Sequence, residues 1–163
     1  MQNMKSVVKV VLLCSLAWCS PSLSAQHPDF QLSVSSAIKV SGVNTPISVS
    51  ITLKNISAHD LSFATIVEDK QAEMNFVVKV RKQDGGSANE SAYYQSLKRD
   101  RAAVSKQEVT LKPGEELVQI AIVTKLFDMK EPGRYVISAQ RAKSDREGLR
   151  TLSSNDLVIE LTP

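Results

Sequence analysis

The chain has little of what supplies covalent staples or catalytic chemistry. Its two cysteines, Cys14 and Cys19, and its one tryptophan, Trp18, all fall within the first nineteen residues. Everything after them lacks a disulfide framework, a CxxC zinc or redox motif and any thiol nucleophile. The two histidines, His27 and His59, stand apart, with no second His or Cys at metal-ligand spacing and no HExxH. There is no Gly-x-Ser-x-Gly elbow, phosphate loop or dinucleotide fingerprint. Glu68-Asp69 and Glu115-Glu116 are adjacent acids beside turns and read as solvated, whereas acid–base work needs one carboxylate shielded from water. His59-Asp60 reads as a polar turn. These absences point to a protein that is not an enzyme and needs neither cofactor nor metal.

Long apolar runs are also missing. The longest apolar block is Val10–Cys19, ten residues, about half of the roughly 20 needed to span a bilayer. Its setting is that of a secretory signal. Lys5 and Lys9 precede it without an acid, and Ser20-Pro21-Ser22-Leu23-Ser24-Ala25 follows with small residues and a helix breaker. The expected organisation is therefore a signal peptide over 1–25, ending at Ala25, and one domain over 26–163. The product would be exported, periplasmic or secreted, with no integral membrane span after cleavage. Cys19 follows Trp18, and Cys14 follows Leu13. Neither has the small residue that a lipid-attachment site needs, so a lipid anchor through Cys19 is disfavoured.

Removing 25 of the 163 residues leaves 138, enough for one sizeable core without staples. With Lys5 and Lys9 gone, 18 basic residues face 17 acidic ones, a net charge of +1. The only dense basic run, Lys98-Arg99-Asp100-Arg101, is broken by an acid. Nucleic acid, which requires a concentrated basic face, is not an expected partner.

What the chain does contain is a period of two. Phe30, Leu32 and Val34 alternate with polar residues, and Ile38 and Val40 follow. Ile47–Lys54 is apolar at every odd position and polar at every even one, the pattern of a half-buried strand. Leu61–Phe63, Asn75–Lys82, Gln107–Leu111, Tyr135–Arg141 and Asp156–Thr162 read as further strands. Gln83-Asp84-Gly85-Gly86 and Lys112-Pro113-Gly114-Glu115 punctuate them as turns. Leu117–Thr124 is apolar on both faces and predicts a central strand. About eight strands without a long amphipathic helix predict an all-β fold, a sandwich in preference to a barrel. Asn89–Lys106 has room for a helical turn but sustains no helical stripe, and it reads as a long, mostly polar crossover loop.

The order of segments from Leu53-Lys54-Asn55-Ile56-Ser57 through Phe76–Arg81, Leu111–Glu115 and Pro132-Gly133-Arg134-Tyr135 to Ser154-Asn155 carries a resemblance. It resembles the immunoglobulin-like antiparallel β-sandwich modules of bacterial exported proteins. It is also distantly similar to the BsuPI-type proteinase inhibitor domain. The resemblance implies a sandwich of 7–8 strands. It also implies structural roles for Gly133 and Tyr135, whose spacing resembles a tyrosine corner.

Function then rests on surfaces. The first expectation is a non-catalytic binding module of the bacterial cell envelope, whose partner is a protein or another envelope component. Its candidate contact loop carries Tyr93, Tyr94, Lys98, Arg99 and Arg101, amphipathic anchors beside positive charge. The alternatives are a protease inhibitor acting through an exposed loop, and an assembly component using strand addition at a sheet edge.

Overall fold

Alternation in Ser48–Asn55 produces strand β3, with Val49, Ile51 and Leu53 buried and Ser50, Thr52 and Lys54 turned toward water. The computed structural model describes residues 29–66, 72–100, 105–145 and 148–163. The expected signal segment, His27 and Arg101 lie outside the described residues. β3 occupies the middle of a three-stranded antiparallel sheet between β1 (Phe30–Ser35) and β7 (Glu116–Ile122). Its register sets Ile51 against Val34 on one side and Gln119 on the other. A slip of one residue would turn Val49, Ile51 and Leu53 out to water together, so burial fixes the register of both ladders.

The second sheet takes the order β2 (Val40–Gly42), β10 (Leu157–Thr162), β8 (Gly133–Asp145), β5 (Val77–Lys82). β2 runs parallel to β10, and the remaining pairs of that path are antiparallel. β9 (Gly148–Ser153) pairs with the far half of β8. β9 and β10 thus lie successively along one side of β8, interrupted at 154–156. The chain passes from β3 to β5, back to β7, and over again to β8. This is the immunoglobulin-like arrangement of three strands against three, β1-β3-β7 facing β5-β8-β10. The fold is an all-β antiparallel sandwich. It has ten described strands against about eight expected, β9 being the one with no counterpart in the sequence reading.

Between the sheets lies one continuous apolar core that includes Leu32, Ile51, Phe76, Ile137 and Ile159. A small ladder of β4 (Leu61–Thr65) and β6 (Gln107–Leu111) packs against it. Phe63 meets Phe30 edge to face at 5.4 Å, and the Arg141 guanidinium lies 4.9 Å from the Phe63 ring centre while donating to the Ala64 carbonyl at 2.8 Å. Burying that arginine head between rings combines cation–π attraction with a backbone acceptor.

Two predictions from the sequence are corrected. Asn89–Lys106 is not all loop, because Ala92–Asp100 forms helix α2. Ser91 starts it, its hydroxyl accepting from the Tyr94 backbone N–H at 3.1 Å as an N-cap does. Leu117–Thr124 is not a central strand: β7 ends at Ile122, and Val123–Leu126 turns into the single-turn helix α3. Among the described residues β7 has a strand neighbour on one side only, β3. Its apolar Val118 and Ile120 face solvent, 53% and 61% exposed. The four residues Ala72–Asn75 form helix α1. α1 leads into β5, and its Asn75 amide bonds both the N–H and the carbonyl of Ile66.

Asn55, at the end of β3, is fully buried and holds three segments. Its Nδ2 donates to the carbonyls of His59 and Leu111 at 2.8 and 2.9 Å, and its Oδ1 accepts from the Ser57 backbone and hydroxyl. Replacing it takes the amide donor from the buried Leu111 carbonyl and the acceptor from the Ser57 N–H, while the His59 carbonyl keeps the Ser57 hydroxyl at 2.9 Å. We expect Asn55→Ala to lower the unfolding free energy by about 2–3 kcal/mol in urea titrations; a loss below about 0.5 kcal/mol would contradict this role.

Candidate functional site

The residues singled out in the sequence separate once folded. On α2, Tyr94 points inward and is 2% exposed, whereas Tyr93 points outward and is 44% exposed. The Tyr94 hydroxyl accepts from the Val78 backbone N–H at 3.0 Å and lies 3.4 Å from the Val78 carbonyl, which it faces as donor. Its ring tilts against Phe127 with centroids 5.4 Å apart. Tyr94 is therefore a core residue and a clamp on β5, and Tyr93 alone is available as an aromatic anchor. Lys98 lies 4.9 Å from the Tyr94 ring centre and pairs with Glu90, so its charge is engaged within the protein. Arg99 is exposed on the same helix.

A residue absent from the sequence reading stands beside Tyr93. Glu73, on α1, is 8% exposed, and its Oε2 is buried without a hydrogen-bond partner. Partial burial, first, and the Glu73 carboxylate, second, raise the Tyr93 hydroxyl above its ordinary pKa. Both act in the same sense, since each penalises a phenolate. Only the fold brings these two together: Glu73 precedes a strand and Tyr93 follows it, with no shared motif to announce them.

At one end of the sandwich, a cleft of about 560 Å³ opens between the β2–β3 turn and the start of α2, lined by Asn44, Pro46, Glu90, Phe127, Asp128 and Lys130. Asn44 adopts φ 67°, a left-handed conformation that asparagine tolerates. The cleft charges are mutually neutralised, Glu90 by Lys98 and Asp128 by Lys130 at 3.2 Å. No group of three or more His, Cys, Asp or Glu side chains gathers among the described residues. None of the described helices is long and apolar enough to cross a membrane.

Gly133 takes φ 144° and starts β8. The Tyr135 hydroxyl donates to the Glu131 carbonyl four residues upstream at 2.9 Å, tying the connecting loop to the strand. Glu131 also pairs with Lys82 through its carboxylate, and that bond is the chief reason the lysine pKa is raised.

The model of one protein family, the N-terminal domain of flagellar collar protein C, matches residues 38–162. The chain belongs to this family, a structural and interaction domain, and the match is not to BsuPI-type inhibitors. No curated protein matches it in sequence. Among solved structures it is similar to a CARDB domain from Pyrococcus furiosus in complex with di-metal ions, at 15% identity and TM-score 0.40, covering 82% of this chain and 93% of that one. It is also similar to a β-glucosidase from Listeria innocua, at 15% identity and TM-score 0.39, covering 82% of this chain but 16% of the enzyme. A β-glucosidase from Erythrobacter marinus gives 16% identity and TM-score 0.37, over 82% and 15%.

The two neighbouring tyrosines should separate in experiment. Tyr94→Phe strands the Val78 N–H and is expected to cost about 1–3 kcal/mol of stability, against less than about 0.5 kcal/mol for Tyr93→Phe; equal losses in thermal or urea unfolding would contradict the assignment. Tyrosine absorbance titration gives an independent check. Glu73→Gln should lower the Tyr93 pKa part of the way back toward 10.0, because the burial contribution stays. An unchanged or higher value would show that Glu73 does not act on it.

Proposed function

We propose that this protein is an exported, non-catalytic interaction module of the bacterial cell envelope that contributes to a flagellar collar. The observation that carries the reading is the family match over residues 38–162. The layout of the first twenty-five residues supports export, and the paired charges of the end cleft supply no group poised for catalysis. A sandwich suits the task, since its rigid sheets let surface side chains contact partners without disturbing the core.

The outer face of α2 is the partner contact in this reading. Tyr93 supplies a rigid amphipathic anchor and Arg99 an exposed positive charge. Tyr94 and Lys98 act from below, as the packing that holds the helix in place. An inhibitor would present a rigid loop to a protease. The stretch read as that loop is largely helix, so the geometry favours the envelope module.

The test is to recover the protein from flagellated cells of its source after fractionation. The protein should appear in the envelope fraction and co-purify with flagellar basal structures. Tyr93→Ala combined with Arg99→Ala should reduce recovery by at least about tenfold, as loss of a hot-spot contact does. Retention in the cytoplasm, or equal recovery of both forms, would contradict the proposal.

A further inference from the structure

An antiparallel ladder directs the backbone groups of alternate residues to opposite sides of a strand. In the β3–β7 ladder the flanking bonds run from the Asn55 N–H to the Glu115 carbonyl and from the Val123 N–H to the Ile47 carbonyl. These bonds place the odd residues of β7 on the β3 side. Its even residues, Glu116, Val118, Ile120 and Ile122, therefore aim their N–H and carbonyl groups at the open edge. The same residues carry the outward side chains, so Val118 and Ile120 present bare backbone and exposed apolar surface together.

Two other edges of the sandwich are partly covered. The outward N–H and carbonyl of Val34 on β1 are both taken by the Asn155 side chain, at 2.9 and 3.1 Å. On β5, the Tyr94 hydroxyl takes the Val78 N–H, Ala88 donates to the Val80 carbonyl, and Lys82 donates to Gly86. The outer face of β5 carries Lys79 and Arg81, charges that discourage a further strand. Neither Val118 nor Ile120 makes a backbone hydrogen bond outside the β3–β7 ladder among the described residues. Apolar side chains on a bare edge invite pairing, and natural edges are usually protected against it.

We propose that β7 is a self-association edge, where a second copy of this chain adds its own β7 in antiparallel orientation. Two-fold symmetry and the ladder parity allow a register about Gln119. It sets Val118 opposite Ile120 of the other copy and Ile120 opposite its Val118, each pair exchanging two N–H···O bonds. At the ends Glu116 faces Ile122 of the other copy, so no charge meets its like. Apolar side chains then meet apolar ones across the join, and the sheet becomes continuous, β1-β3-β7 followed by the same strands in reverse. A partner strand of another protein could meet the edge hydrogen bonds. The apolar and charge matching, however, is already complete between two copies of Glu116–Ile122. This proposal concerns the purified chain and does not depend on the collar reading.

Sedimentation equilibrium from about 1 to 500 µM tests it, a range suited to a small interface. The wild-type protein should approach the mass of two chains at the upper end. Ile120→Lys should lower the association constant by at least about tenfold. Ile120→Pro should do the same, because proline removes only the outward N–H and leaves the β3 ladder intact. Unchanged circular dichroism spectra show that the variants fold; if the proline variant does not, Val118→Lys takes its place. A wild-type protein that stays a single chain across the range would overturn the proposal. So would a dimer that survives Ile120→Lys, or one abolished equally by Tyr93→Ala.

Discussion

The β3 ladder is the constraint on which the rest of the structure depends. Its odd positions must be buried, its even positions must be wet, and it has a partner on each side. Burial fixes the register, the register fixes which backbone groups meet, and the parity then propagates outward. On the β1 side it leaves the even residues of β1 facing outward, where Asn155 satisfies Val34. On the β7 side it leaves Val118 and Ile120 without equivalent cover. The same buried apolar alternation that makes the sandwich stable thus decides which of its edges stays open.

Polar side chains do the closing, and they do it from distant parts of the chain. Asn55 gathers the turn after β3 and the end of β6, Asn75 holds Ile66, Asn155 caps β1, and Tyr94 caps β5. Each is an amide or hydroxyl that can donate and accept at one point, as an edge requires. The exposed face of α2 and the edge of β7 are different in kind. One offers an exposed aromatic ring, the other a strand edge.

Much of this was legible in the sequence, and the failures are specific. β1, β3, β5, β6 and β10 follow from alternation, because a half-buried strand writes its two faces into odd and even positions. α2 was hidden because its inward stripe is only Tyr94 and Leu97, too short for a helical period to register, although Ser91 three residues before Tyr94 is an N-cap signal. β9 was missed because it exists as the partner of an unusually long β8, a tertiary fact. The sequence allows one of the two adjacent tyrosines to pack down on the sandwich, but it does not say which of them a helix turns inward. β7 is the most instructive. An apolar run on both faces implied a strand covered on both faces, yet the chain itself covers only one. Reading that excess of apolar surface as a place for another strand reconciles the pattern with the fold.

The parity of β7 can be measured residue by residue through amide hydrogen exchange by NMR in dilute solution, where the chain is single. The account predicts slow exchange at Leu117, Gln119 and Ala121, which donate toward β3, and fast exchange at Val118 and Ile120, which donate to the open edge. Raising the concentration should slow those two amides and leave the odd residues unchanged. Equal protection of all five amides in dilute solution would contradict it, for the edge would then already be covered within one chain.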